Sequence, residues 1–121
     1  MRSVALLLAA VLATTTLAAC GVTVADINAR PEKYYEHPVD FTARLTRRQD
    51  LPDATLLEVA DARGARILVR GPAGVEALTG DWVRVRGILV AEARVGDKIL
   101  YDVVTSEQVT RTHAPRFATL M

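Results

Sequence analysis

Between Val39 and Val109 the chain repeatedly alternates apolar and polar residues, and this period of two constrains the fold more than any other feature. Val39, Phe41, Ala43 and Leu45 share one face of an expected first strand, and Asp40, Thr42, Arg44 and Thr46 share the other. Residues 47–53, with Pro52, read as a loop. Residues 55–60 and 66–70 read as a second and third strand, with Leu57, Val59, Ile67 and Val69 facing inward. Asp61-Ala62-Arg63-Gly64 between them has the composition of a tight hairpin turn, with Gly64 free to take positive φ. A long fourth strand is expected over about 82–93, with Val83, Val85, Gly87 and Leu89 on one face. Gly87 in mid-strand predicts a bulge or sharp bend, the device by which a small barrel turns a corner. Residues 95–98 then turn the chain into a last strand over about 99–109.

The remaining segments read as plugs and breaks. Asp26 or Asn28 can cap a turn, and Pro31 suits a first helical position. One or two helical turns should follow and end before His37-Pro38, because a residue preceding proline is pushed out of the helical region. Gly71-Pro72-Ala73-Gly74 breaks the sheet, and residues 75–78 predict a short helical turn ended by Gly80. Five strands, a short N-terminal helix and a helical turn between the third and fourth strands describe a mainly β, five-stranded Greek-key barrel. An SH3-like small barrel and an open sandwich are the alternatives.

A resemblance favours the first of these. Residues 27–35, from Ile27 through Pro31 to Tyr34 and Tyr35, and then residues 38–45 resemble the opening of bacterial exported OB-fold domains. Gly80-Asp81-Trp82-Val83-Arg84-Val85-Arg86-Gly87 resembles the fourth-strand signature of the same group. The likeness covers residues 24–110 and departs at Ala43, where glycine is more usual, so a less sharply curved first strand is expected. It implies an OB-fold and leaves function open, because this fold hosts many unrelated activities.

The first twenty residues point to a location. Arg2 precedes an apolar run from Val4 to Leu17, and Leu17-Ala18-Ala19-Cys20 has the form of a lipoprotein cleavage box. Residues 1–19 then form a signal peptide cleaved between Ala19 and Cys20, and Cys20 carries the lipid. The apolar run is shorter than the roughly 20 residues a bilayer-spanning helix needs. Cys20 is also the one cysteine of the chain, and a secreted protein tends to avoid an unpaired thiol. The expected organisation is a signal peptide (1–19), a lipidated tether (20–23), an OB-fold-like domain (24–110) and a C-terminal tail (111–121). The expected location is the bacterial cell envelope, with a lipid anchor. Gly21 after the cysteine implies the periplasmic face of the outer membrane in a host with two membranes.

Charge and side-chain inventory narrow the function. Loss of Arg2 with the signal leaves 14 basic against 14 acidic side chains, a balance that argues against a nucleic-acid partner held by bulk charge. Ser106 is the one serine of the mature chain and has no histidine near it in sequence, so nucleophilic catalysis is not expected. His37 and His113 lie at opposite ends without a ligand at helical spacing. Asp50, Asp53 and Asp61 do not match a calcium loop, and Asp61, Asp81 and Asp97 read as turn residues. No catalytic or metal-binding residue and no cofactor beyond the covalent lipid at Cys20 is expected.

The arginines form the one suggestive constellation. On an OB-fold, the outer face of strands two and three together with the first-to-second and fourth-to-fifth-strand loops would present Arg47, Arg48, Glu58, Arg66, Leu68 and Arg70, with Arg94 in the fourth-to-fifth-strand loop. Arginine forks suit carboxylate, phosphate or sulfate groups; the bland reading is a solvated barrel exterior. Strands two and three lack the aromatic platforms that single-stranded nucleic acid wants. Tyr34, Tyr35 and Trp82 read as packing residues, and Phe117, Leu120 and Met121 as residues able to dock on the barrel or a partner. The expected function is that of a lipid-anchored, non-enzymatic binding or adaptor module for an envelope protein or an anionic small molecule or glycan. The alternatives are an enzyme or metal-handling protein whose site forms only in the fold, drawing on His37, His113, Glu58 and Asp102, and a structural, stress-related lipoprotein.

Overall fold

A computed structural model describes residues 22–115. The signal segment, Cys20 and the docking residues Phe117, Leu120 and Met121 lie outside them. Five strands follow a short helix: α1 (Val24–Ala29), β1 (Pro38–Asp50), β2 (Ala54–Ala60), β3 (Arg66–Pro72), β4 (Trp82–Val95) and β5 (Lys98–Thr112). The sheet closes in the order β1-β2-β3-β5-β4. Every neighbouring pair is antiparallel except β3 with β5, which run parallel. This is the order of an OB-fold.

The inward residues are those the alternation marks. Val39, Phe41, Ala43, Leu45, Leu57, Val59, Ile67, Val69, Val83, Val85 and Leu89 are buried and form one core with Val104. β1 serves two partners, pairing with β4 over Pro38–Arg44 and with β2 from Arg44 onward. It bends at Thr46, where Leu45 pairs with Val59 and Arg47 with Glu58, so Thr46 is an extra residue. Ala43, which lacks the glycine's freedom, is fully buried just before this bend. The predicted bulge at Gly87 is present: Gly87 opposes Ser106 while Arg86 opposes Gln108, leaving Glu107 as the extra residue on β5. A Cβ at Gly87 would collide with the Thr105 carbonyl oxygen, so only glycine admits the close approach of the two strands. Gly64 takes φ +89° in the β2–β3 turn, as expected.

Two different plugs close the barrel. At the β2–β3 turn lies α1, a helix of only six residues that could not stand alone in water. It buries Val24 and Ile27 in the core, and Tyr34 and Tyr35 pack against the same cluster. Thr23 and Asp26 form a reciprocal capping box, each bond 3.1 Å. Asp61 accepts from Ala25 N–H (3.0 Å) through one oxygen, and from Arg63 and Ala65 N–H (2.9 and 3.0 Å) through the other. One carboxylate thereby shapes the hairpin turn and docks the helix on it. The helix begins before the position suggested by Pro31, which instead opens a 3-10 turn, Pro31–Lys33.

The opposite end differs from expectation. Residues 75–78 form no helical turn; the segment is irregular between turns at 73–74 and 79–80. It buries Val75 and Ala77. The barrel holds it at two points, Arg48 Nη1 donating to Ala77 O (2.6 Å) and, just beyond, Gly80 N–H donating to Leu45 O (2.8 Å), while Leu78 N–H donates to Asp81 Oδ2 (2.9 Å) within the loop. A helix would have satisfied such groups internally; here the rim and the loop do so. The expected tail also shortens, because β5 continues to Thr112.

Candidate functional site

The seam between β3 and β5 is short, with pairs only at Leu68–Val103, Val69–Val104 and Arg70–Thr105. Below it the strands part, because β5 leaves the barrel with β4 as a two-stranded arm whose turn lies at residues 96–97. The break occurs at Asp102, whose φ of +55° is uncommon for a residue with a side chain and is best tolerated by Asp or Asn. The gap is a cleft of about 360 Å³ lined by Asn28, Glu58, Arg66, Ile67, Leu68, Tyr101 and Asp102.

Each wall has a physical cause. The Arg66 carbonyl, which a continuous β3–β5 ladder would have used, accepts from Asn28 Nδ2 of α1 (2.8 Å). The Arg66 guanidinium is 3.5 Å from Glu58 Oε1, and Thr46 Oγ1 lies 2.9 Å from the same oxygen. Across the cleft, the Tyr35 hydroxyl donates to Asp102 Oδ1, fixing the base of the arm to the chain just before β1. That bond to a carboxylate, together with partial burial, holds the Tyr35 proton and raises its pKa above the ordinary tyrosine value. Tyr101 stands 68% exposed on the arm, followed two residues back by the exposed Ile99.

The arginines expected on one face are divided. Arg66 lines the cleft beside Glu58. Arg70 lies two periods of the alternation further along β3, 3.7 Å from Asp53, with its Nε buried and without a hydrogen-bond partner. Arg47 is exposed opposite Glu58. Arg48 is not on this face. The bulge at Thr46 inverts the parity of β1, so Arg48 pairs with the inward Leu57 and its guanidinium clamps Ala77 O and Asp50 (2.8 Å). Arg94 stands opposite Ile99 in the arm strand rather than in a loop. Outside the cleft, Asp40 binds Arg84 through two bonds of 3.0 and 2.8 Å, with Arg86 at 3.4 Å. The Arg84 hydrogen bonds, helped by both positive charges and opposed by partial burial, hold the Asp40 carboxyl below its usual range.

The residues considered for chemistry are spent elsewhere. Glu58 and Asp102 line one cleft, but each accepts a hydrogen bond from a neighbour, Thr46 and Tyr35. His37 and His113 are both exposed. Ser106 is buried in the β5 bulge, donating to Arg86 O (2.6 Å). Among the described residues no group of three or more His, Cys, Asp or Glu is placed to hold a metal ion. Sequence reasoning missed Tyr101 and Asn28. Stepping back by twos from the inward Val104 would have put Tyr101 and Ile99 on the outer face.

The chain matches no protein-family model and no curated protein. Among solved structures it is similar to a chain of a replication protein A heterotrimer bound to single-stranded DNA, with a TM-score of 0.50 at 17% identity. The match covers 69% of this chain and 63% of that one, so the chain spans less than two thirds of its neighbour's length. A likeness of this degree shows the fold alone, and places the protein among OB-fold barrels.

Proposed function

We propose that this chain is a non-enzymatic binding module that docks a protein segment in the β3–β5 cleft, and that acylation at Cys20 holds it in the bacterial envelope as an adaptor. The supporting observation is the splay of β5 from β3, which leaves Leu68 and an exposed Tyr101 on either side of a cleft rimmed by Arg66. The lining carries two carboxylates, Glu58 and Asp102, against one guanidinium. A small free anion therefore gains little from it, whereas a protein segment can set an apolar side chain against Leu68 and a carboxylate at Arg66. Anchoring close to the membrane would raise the effective concentration of the barrel for a neighbouring protein.

The test is proximity crosslinking on intact cells with the native protein as bait, beside an Arg66→Glu, Arg70→Glu variant and a Tyr101→Ala variant. A discrete envelope protein captured by the wild type and lost in both variants is expected. Saturable binding of a single-stranded oligonucleotide that needs Tyr101 would move the reading to nucleic acid. Cys20→Ala should shift the protein out of the membrane fraction; an unchanged, acyl-free mature mass would remove the anchor from the proposal.

A further inference from the structure

Barrel closure leaves the β4–β5 arm with an open edge, as it does β5 beyond Thr105. β4 pairs with β1 only as far as Ile88, and β5 pairs with β3 only from Val103. The arm strand of β5 below Val103 therefore has β4 on one edge and no ladder partner on the other among the described residues. Open edges are templates for another strand, and proteins usually blunt them with proline, bulges or inward charges. This edge has neither proline nor bulge, and its two charges, Lys98 and Asp102, stand at its ends, Asp102 at the positive φ that ends the arm. It runs Lys98-Ile99-Leu100-Tyr101-Asp102, and two of the four exposed large apolar side chains of the described residues, Ile99 (46%) and Tyr101 (68%), lie on it.

We infer that the partner of this edge is a second copy of the same edge, paired antiparallel about a two-fold axis at Leu100. In that register the segment complements itself. Lys98 of each copy stands opposite Asp102 of the other, and Ile99 opposite Tyr101. Those are an opposite-charge pair and an aromatic–β-branched pair, the cross-strand combinations that stabilise antiparallel ladders. Asp102 keeps an oxygen for the lysine, because Tyr35 occupies only Oδ1. Shifting the register by two residues brings Lys98 opposite Leu100 or Asp102 opposite Leu100, and both charge pairs are lost. The two-fold arrangement is isologous and closes at the dimer, so it does not propagate into a filament. The unpaired edge of β5 faces the β3–β5 cleft, so a second copy paired there and a docked segment would compete for Tyr101 and Asp102. The pairing does not rest on either cleft being occupied.

Sedimentation equilibrium on the full chain in density-matched detergent tests this, over a dilution series and with charge swaps. The wild type should self-associate, and Lys98→Glu, which sets two carboxylates against each other twice, should weaken the dimer about tenfold. Asp102→Lys alone should weaken it similarly, and an equimolar mixture of the two variants should restore it. Leu100→Cys, oxidised alongside Gln49→Cys and the wild type with its native Cys20, supplies a readout that does not depend on the swapped variants folding. Only Leu100→Cys should add a rapid disulfide dimer, since its two sulfurs meet at the axis. A wild type that stays monomeric throughout, self-association undiminished by Lys98→Glu, or Leu100→Cys crosslinking no faster than Gln49→Cys would overturn the inference. A wild type that dimerises but captures no envelope protein would count against the cleft proposal alone.

Discussion

The barrel body and the arm are made from the same two strands, yet they obey different rules. In the body, β4 lies between β1 and β5, β5 meets β3 over Val103–Thr105, and the inward side chains fill the core: Val83, Val85, Leu89 and Val104 are wholly buried. In the arm the same strands have only each other, and Ile99 and Tyr101 stand in solvent. Alternation in the body is dictated by packing, whereas in the arm it is free to serve recognition. The switch between the two regimes is a single residue, Asp102, held in a left-handed conformation and tied to Tyr35.

Substitutions can break or sharpen this contrast. Leu57→Ala, at a fully buried site, should cost about 3 kcal/mol in urea unfolding, through lost transfer energy and a residual cavity. Gly87→Ala should cost about 2 kcal/mol, because its Cβ meets backbone that cannot swing away. Thr23→Ala, which removes the cap of α1, should cost about 1 kcal/mol. Asp40 supplies a smaller, pH-dependent effect. Its folded pKa lies below the unfolded value of about 3.9, so the stability it adds is complete above that value and is lost as pH falls through the folded pKa. Wild type and Asp40→Asn should therefore converge in stability on acidification, and a constant gap down to pH 2 would exclude the Arg84 pairing as its source. Ile99→Ala or Tyr101→Ala should change stability by no more than about 0.5 kcal/mol. A core-sized loss at either would mean that the arm belongs to the body after all.

Features that a short window encodes were legible in the sequence. Alternation placed Val39, Phe41, Ala43 and Leu45 inward, and single glycines marked the turn at Gly64 and the bulge at Gly87. What escaped depends on partners distant in sequence. The bulge at Thr46 has no glycine to announce it, and β1 continues past it to Asp50, so Arg48 stands in a strand at the rim rather than in the expected loop. Residues 75–78 have helical composition, but Val75 and Ala77 reach the core and Arg48 on the rim binds Ala77 O, so tertiary contacts override local preference. The cleft could not be read from any one segment, since α1, β2, β3 and β5 each contribute to its lining.

The brevity of the β3–β5 seam also governs how the molecule assembles itself. Every other strand pair joins either chain neighbours or the long β1 to β4, and is secured by many rungs; this one has three and forms only after the whole of β4 has been laid down. Its few rungs return little for the long loop they close, so the ring should zip shut there late in folding. It should also breathe there first, with the amides of Leu68 and Val103 exchanging with solvent well ahead of those deep in the β1–β4 ladder.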